Sequence, residues 1–402
     1  MANNDDVPAP DKTVFVHVGC RKTGTSHLQF GLKRAPKRVL RAGLAQPLGE
    51  RGGIMRGLLL PLQAATEGDV AAAEQAVTAL ARTIRESEQP RHLITLEALA
   101  ELPAEATSLL VHGLAEFDTR LIVTARSWAY TIPSEWQQQI KARYTGDYLS
   151  YAAAIRSPDD VGPELAAEAE LFRRRQDIAD VVRRWRAGDP ELPVSVVLVP
   201  PFGAEGTTLV DVFCGLISVS PSTLAIPKKI TNESLSHADA ELVRRINLAL
   251  GDRLTDTKGD YRYHVRRWIV AGSMMHRPRA KIRLPRDLEP WCREESARQL
   301  AELEALGADV IGEPEHYVSP ILPGDDFVPA RDDEVVAVAA AVLADLAEQR
   351  DEETRAWKDA IDEAERARRR AAADRRSQST AAAGPARRVR TLAGRVRRRL
   401  SR

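Results

Sequence analysis

Cysteine is scarce: Cys20, Cys214 and Cys292 are the only three in 402 residues. An odd, scattered set supports neither a disulfide framework nor a zinc site, so a reducing cytoplasm is the expected home. Long apolar runs are missing too. The longest uncharged ones, such as VSVVLV at 194–199, are strand-sized and far short of the roughly 20 residues that cross a bilayer. The opening MANNDDVPAPDK has no basic start and no apolar stretch, so no secretory leader is expected. Net charge is almost absent, at +1, but the balance is not local. From Arg366 to Arg402 there are 14 arginines against one acid, Asp374, a net of +13. The remaining residues carry a net of −12. An acidic body thus bears a basic tail.

What is present is ordinary for a globular protein: 29% charged and 44% apolar residues, in a chain long enough for one large core with additions. Its alanine and arginine richness suggests a GC-rich bacterial genome. Residues 1–12 read as disordered. TVFVHVG (13–19), HLITL (92–96), TRLIVTA (119–125), PVSVVLVP (193–200) and ADVI (308–311) read as strands from their β-branched content and flanking turn residues. Helical patterns fall at 25–35, where Leu28 and Leu32 are one turn apart, and at 64–88, 133–144, 164–187, 236–250 and 290–306. The alternation predicts an α/β fold with a central parallel sheet and helices on both faces. The expected organisation is one domain over 13–330, a charged helical extension over 331–376, and a linker with a basic amphipathic tail over 377–402. No internal repeat is found.

The stretch HVGCRKTGTSHLQ (17–29) joins the first strand to the first helix. Gly19 and Gly24 have the spacing of a nucleotide-hydrolysing P-loop, and Ser26 stands where its Ser/Thr would be. Thr25 takes the place of that loop's lysine, and a lysine appears earlier, as Lys22. The backbone logic survives, because glycines between a strand and a helix expose N–H groups to an anion. Arg21 and Lys22 add charge, while Thr23, Thr25 and Ser26 add hydroxyls. The bland alternative is a tight turn capped by Thr25.

This loop resembles the 5′-phosphosulfate loop of the sulfotransferases that use 3′-phosphoadenosine 5′-phosphosulfate (PAPS). Bacterial carbohydrate-type members typically read H-[IV]-G-x-x-K-T-G-[ST]-[ST]-x-[IL]-Q, and every fixed position is matched here. The resemblance implies a P-loop-like α/β fold, PAPS as co-substrate, and donor contacts from Arg21, Lys22, Thr23, Gly24, Thr25 and Ser26. It also implies a second site for the donor's 3′-phosphate: an arginine after a later strand with a serine eight positions on. Arg126 and Ser134 in RSWAYTIPSEWQQQIK fit that spacing. An arginine fork suits phosphate, and a serine near a helix start would add a hydroxyl and backbone amides. The segments 228–247 and 306–320 are similar to later parts of bacterial members.

Sulfuryl transfer resembles phosphoryl transfer, in which positioning and charge stabilisation dominate. Lys22 is the expected cation at the donor's bridging oxygen, and no metal is expected. The acceptor hydroxyl needs a base. Glu97, directly after the second strand, is the first candidate, where relatives carry S-S-E. Its alternative is charge at a helix start. His17 is the rival base, with a buried core imidazole as its alternative. His27 and His112 have weaker claims, and Phe202 is read as core rather than as an adenine platform.

The leading expectation is therefore a cytoplasmic PAPS-dependent enzyme that sulfates a hydroxyl on a glycan or glycolipid. A P-loop kinase or NTPase and a non-catalytic binding protein are the alternatives. In the tail, Val389, Leu392, Val396 and Leu400 fall on one helical face among arginines. The bland alternative for the tail is a solvated, partly helical extension. The pattern favours peripheral contact of 387–400 with an anionic membrane face over contact with a polyanion such as nucleic acid or an acidic glycan, and no specific nucleic-acid recognition is expected.

Overall fold

The computed structural model describes residues 12–201, 206–226, 234–257, 259–274, 280–318 and 326–397, with side chains in the last segment to Ala371. Six strands form one all-parallel sheet: β1 (Thr13–Gly19), β2 (Leu44–Ala45), β3 (Arg91–Thr95), β4 (Asp118–Ala125), β5 (Val194–Leu198) and β6 (Asp309–Ile311). Their order is β2-β3-β1-β4-β5-β6. In register, Val16 lies beside Ile94 on one side and Leu121 on the other.

The period of two along each strand divides the core. Val14, Val16 and Val18 share one cluster with Ile94, Leu121, Val123 and Val196. Leu80 and Ile84 of helix α2 (Val70–Glu86) cover it. Phe15, Leu93, Ile122 and Val197 face the other way, under Leu28 and Leu32 of helix α1 (Thr25–Arg34). Both faces are buried, which is why the strands read as continuous apolar runs. A third cluster lies around helix α3 (Trp128–Ile140). Its Trp128 and Trp136 pack with Tyr148, Phe172 and Tyr261, and the cluster reaches helix α4 (His237–Leu250) and Val342 of helix α5 (Asp332–Arg397).

The expected strands are present, with ends within a residue or two. β2 goes unforeseen because two residues carry no alternation. The helix expected over 64–88 breaks at Gly68, whose φ is +105°, and restarts at α2 under the cap of Asp69, which accepts from Ala72 N at 3.1 Å. The one expected over 164–187 breaks at Asp177, whose carboxylate accepts from Asp180 N at 3.0 Å. α3 starts at Trp128, five residues ahead of the expected Pro133, because Ser127 caps it and Pro133 is tolerated inside. The linker expected at 377–386 is instead helical backbone within α5. Extending an existing helix is far easier than nucleating one, and its alanines favour it against Gly384 and Pro385.

From β1 the chain fills the β2, β3 side of the sheet and then crosses to β4. The crevice beyond the carboxyl end of β1 is thus a topological switch point, where open α/β sheets take their ligands. The loop 20–24 opens there.

Candidate functional site

The loop is held from beneath. Gly19 pairs with Thr124 of β4, and Cys20 N donates to Thr124 O at 3.1 Å. A Cβ on Gly19 would sit 1.8 Å from Thr25 Oγ1, so only glycine lets Thr25 pack there. Thr23 Oγ1 donates to Cys20 O at 2.6 Å, pairs with Thr124 Oγ1 at 2.8 Å and lies 3.3 Å from Thr25 Oγ1. Both threonines are buried. Their side chains therefore tie the loop shut, a correction to their expected use as hydroxyl donors to a ligand. What they leave for a ligand is backbone.

That backbone is shaped for an anion. Lys22 has φ +67° and Gly24 φ +88°. Left-handed residues in such a turn bring successive N–H groups to one side. A non-glycine there carries strain on the order of 1 kcal/mol, of the kind that gathers at functional sites. Gly24 is the N-cap of α1, with no side-chain cap and no acid in the first turn. Thr25 does not cap the helix, and Gly24 and Ser26 stand exposed.

The loop's two cations are held differently. Arg21 reaches Glu101 at 3.2 Å and Glu135 at 3.8 Å, and its carbonyl accepts from Gln176 Nε2 at 3.0 Å. Lys22 Nζ donates to Gln138 Oε1 at 3.2 Å. Burial lowers the ammonium pKa of Lys22, and Glu135 and then Glu97 pull it back up. Ser26 Oγ donates to Glu97 Oε1 at 3.4 Å, which brings Glu97 to the open end of α1.

His17 is set apart from this surface. It is wholly enclosed, with Nδ1 2.9 Å from Thr95 Oγ1 and Nε2 3.4 Å from Thr124 Oγ1, and burial lowers its pKa to about 3. An enclosed neutral imidazole with both nitrogens engaged is a peg beneath the loop, which corrects its candidacy as a base. His112 lies in the last turn of the helix Ala104–Gly113 and His27 is only partly buried in α1; neither side chain makes a hydrogen bond among the described residues. Phe202 and the start of the segment 228–247 lie outside the described residues.

Arg126 directly follows β4, one residue before the cap of α3. Its guanidinium lies over the Tyr130 ring at 4.7 Å, burial lowers its pKa, and its buried Nε has no hydrogen-bond partner among the described residues. Ser134 is not at a helix start. It lies inside α3, and its Oγ donates to Tyr130 O at 2.8 Å, so it offers a hydroxyl oxygen rather than free amides. Tyr130, Ser134 and Gln138 recur every fourth residue and so share one face of α3. That face runs from Arg126 to the Gln138 contact with Lys22.

Sequence reading assigns no role to three residues of the site: Tyr130, Glu135 and Gln138. Tyr130 and Gln138 carry the helical spacing from Arg126, which becomes legible once α3 is known to start at Trp128; Glu135 lies off that row and carries no such signal. Comparison with known protein families, with curated proteins and with solved structures finds no match to this chain. Among the described residues no helix is long and apolar enough to cross a membrane.

Proposed function

We propose that the protein transfers a sulfuryl group from PAPS to a hydroxyl acceptor on a carbohydrate or glycoconjugate. One observation carries the reading: an uncapped strand–loop–helix anion nest bearing Lys22, and an arginine with an unpartnered buried Nε, lie at the two ends of one face of α3. A nucleotide phosphorylated at both 5′ and 3′ positions needs two such separated anion sites. In this reading the loop amides hold the 5′-phosphosulfate, and Arg126 holds the 3′-phosphate, joined by Ser134 once its hydroxyl proton turns from Tyr130 O to the ligand.

The acceptor oxygen forms its bond to sulfur as the bond from sulfur to the donor's bridging oxygen breaks. The acceptor proton passes to Glu97. Lys22, leaving Gln138, stabilises the charge that develops on the departing 3′-phosphoadenosine 5′-phosphate. Fixed cations supply this stabilisation, and no step calls on a metal. The buried Thr25 in the lysine position of nucleotide-hydrolysing loops speaks against a kinase or NTPase. The basic tail would bring the enzyme to a lipid-linked acceptor at an anionic membrane face. Deleting 377–402 is then expected to abolish co-sedimentation with anionic liposomes, and unchanged co-sedimentation would remove that part of the proposal.

The test is transfer of radiolabelled sulfate from PAPS to a glycan and glycolipid extract. Label is expected in the extract, reduced about 100-fold or more by Lys22→Ala. Transfer that is indifferent to Lys22→Ala would overturn the reading.

A further inference from the structure

Glu135 is the most enclosed carboxylate beside the loop, at 1% exposure, and the function above does not use it. Its Oε2 faces Arg21 at 3.8 Å, and its buried Oε1 has no hydrogen-bond partner among the described residues. Burial pushes the Glu135 carboxyl up, so only cations nearby can keep it ionised there. Those facing it are Arg21 and Lys22 from the loop and Arg175 from the helix Pro163–Gln176, with Glu97 as the like charge. Arg21 and Arg175 are already drawn to Glu101, at 3.2 Å and 2.8 Å. Lys22 has no carboxylate within 4 Å among the described residues; its one hydrogen bond is to the neutral Gln138, one turn along α3 from Glu135.

We propose that Glu135 is a positioning residue: a buried counter-charge on α3, one turn from the Gln138 that holds Lys22, that anchors Arg21 and supports the ε-ammonium of Lys22 at the mouth of the anion loop. The inference rests on the proposed function for its purpose, but not for its test. A half-buried ammonium is drawn toward its neutral form by desolvation. A neutral Lys22 could not stabilise a leaving phosphate. The charges facing Lys22 are Glu135 from α3, Glu97 from the turn after β3, Arg21 from the loop and Arg266 from the helix Arg262–Met274. The two arginines oppose its charge, and Glu135 is the foremost group that supports it. A carboxylate here, out of direct contact, leaves the ammonium free to turn to the donor.

The test is the titration of Lys22 in the unliganded full chain, followed by NMR of ¹³C-dimethylated lysines, with Lys22→Arg to identify the signal. In Glu135→Gln the Lys22 midpoint should fall by about one pH unit or more, and Glu135→Asp should keep it near the wild-type value. An unchanged midpoint in Glu135→Gln, or an aspartate variant that behaves like the glutamine one, would overturn the proposal. In a second arm, binding of 3′-phosphoadenosine 5′-phosphate above the lowered midpoint should weaken about tenfold in Glu135→Gln. If the wild type binds no such nucleotide while the titration shifts, the sulfotransfer reading fails and the counter-charge stands. If the nucleotide binds and the titration does not shift, the reverse holds.

Discussion

With its imidazole enclosed between Thr95 and Thr124, His17 stays neutral in the folded protein down to about pH 3. In the unfolded chain it takes a proton near pH 6.5. The folded value is the lower one, so its contribution to stability is complete above pH 6.5 and is lost as the pH falls from there toward 3. The slope approaches about 1.4 kcal/mol per pH unit. Urea unfolding at pH 6.5 and pH 5 should therefore show wild type losing about 1.5 kcal/mol more than His17→Gln; equal losses would show that His17 does not resist protonation. Lys22 and Arg126 were legible in the sequence because their segments resemble sulfotransferase motifs, and Lys22 also because it lies between the glycines of a strand-to-helix loop. The role of His17 was not, since a histidine between valines reads equally as peg or base until its neighbours are known. Glu135 was illegible for another reason: within SEWQQQ it looks like a polar surface residue, and only the docking of α3 against the loop buries it.

The unit that makes the site is the passage from β1 through the loop into α1. Its packing is tight at one glycine and loose at the other. Gly19→Ala would drive a Cβ to 1.8 Å from Thr25 Oγ1 and 3.1 Å from Thr124 Oγ1, both committed to the loop's own hydrogen bonds. Overpacking there should cost about 2 kcal/mol or more. A lowered urea midpoint together with weakened nucleotide binding is the expected result; a variant that unfolds like wild type would mean that Thr25 is free to move aside. Among the described residues Gly24→Ala meets only the flexible Leu209 Cδ2, at 2.8 Å, and its cost comes mainly from φ +88°. About 1 kcal/mol is expected there. At this scale the sequence was informative wherever an element has a strong pattern of its own. The five longer strands were found from β-branched runs. The start of α3 was missed because Pro133 looks like a first-turn residue, and tertiary burial of Trp128, Ile132 and Trp136 overrides that local signal.

Across the whole molecule, α5 has two unlike halves. Its first turns bury Val335 and pack Val342 into the helical cluster, and Asp332 pairs with Arg245 of α4 at 2.6 Å. From residue 351 to 371 almost every position is exposed, including Trp357 at 66%. Ending the chain after Arg350 should leave thermal stability within about 0.5 kcal/mol of wild type. Ending it after Arg331 should cost about 4 kcal/mol or more, since buried valines and their neighbours are exposed together. Equal melting of the two truncations would place the body's boundary elsewhere. The change from body to charged extension was visible in composition, but the point where packing stops was not, because valines at helical spacing continue a pattern whether or not a partner covers them. The central claim, two separated anion sites joined by α3, is tested most directly by calorimetry of 3′-phosphoadenosine 5′-phosphate against ATP with magnesium, on wild type and Arg126→Ala. The account predicts that the 3′-phosphorylated nucleotide binds more tightly than ATP and that Arg126→Ala weakens it at least about tenfold, the worth of a charge-assisted contact. Equal binding of the two nucleotides, or binding indifferent to Arg126→Ala, would contradict it.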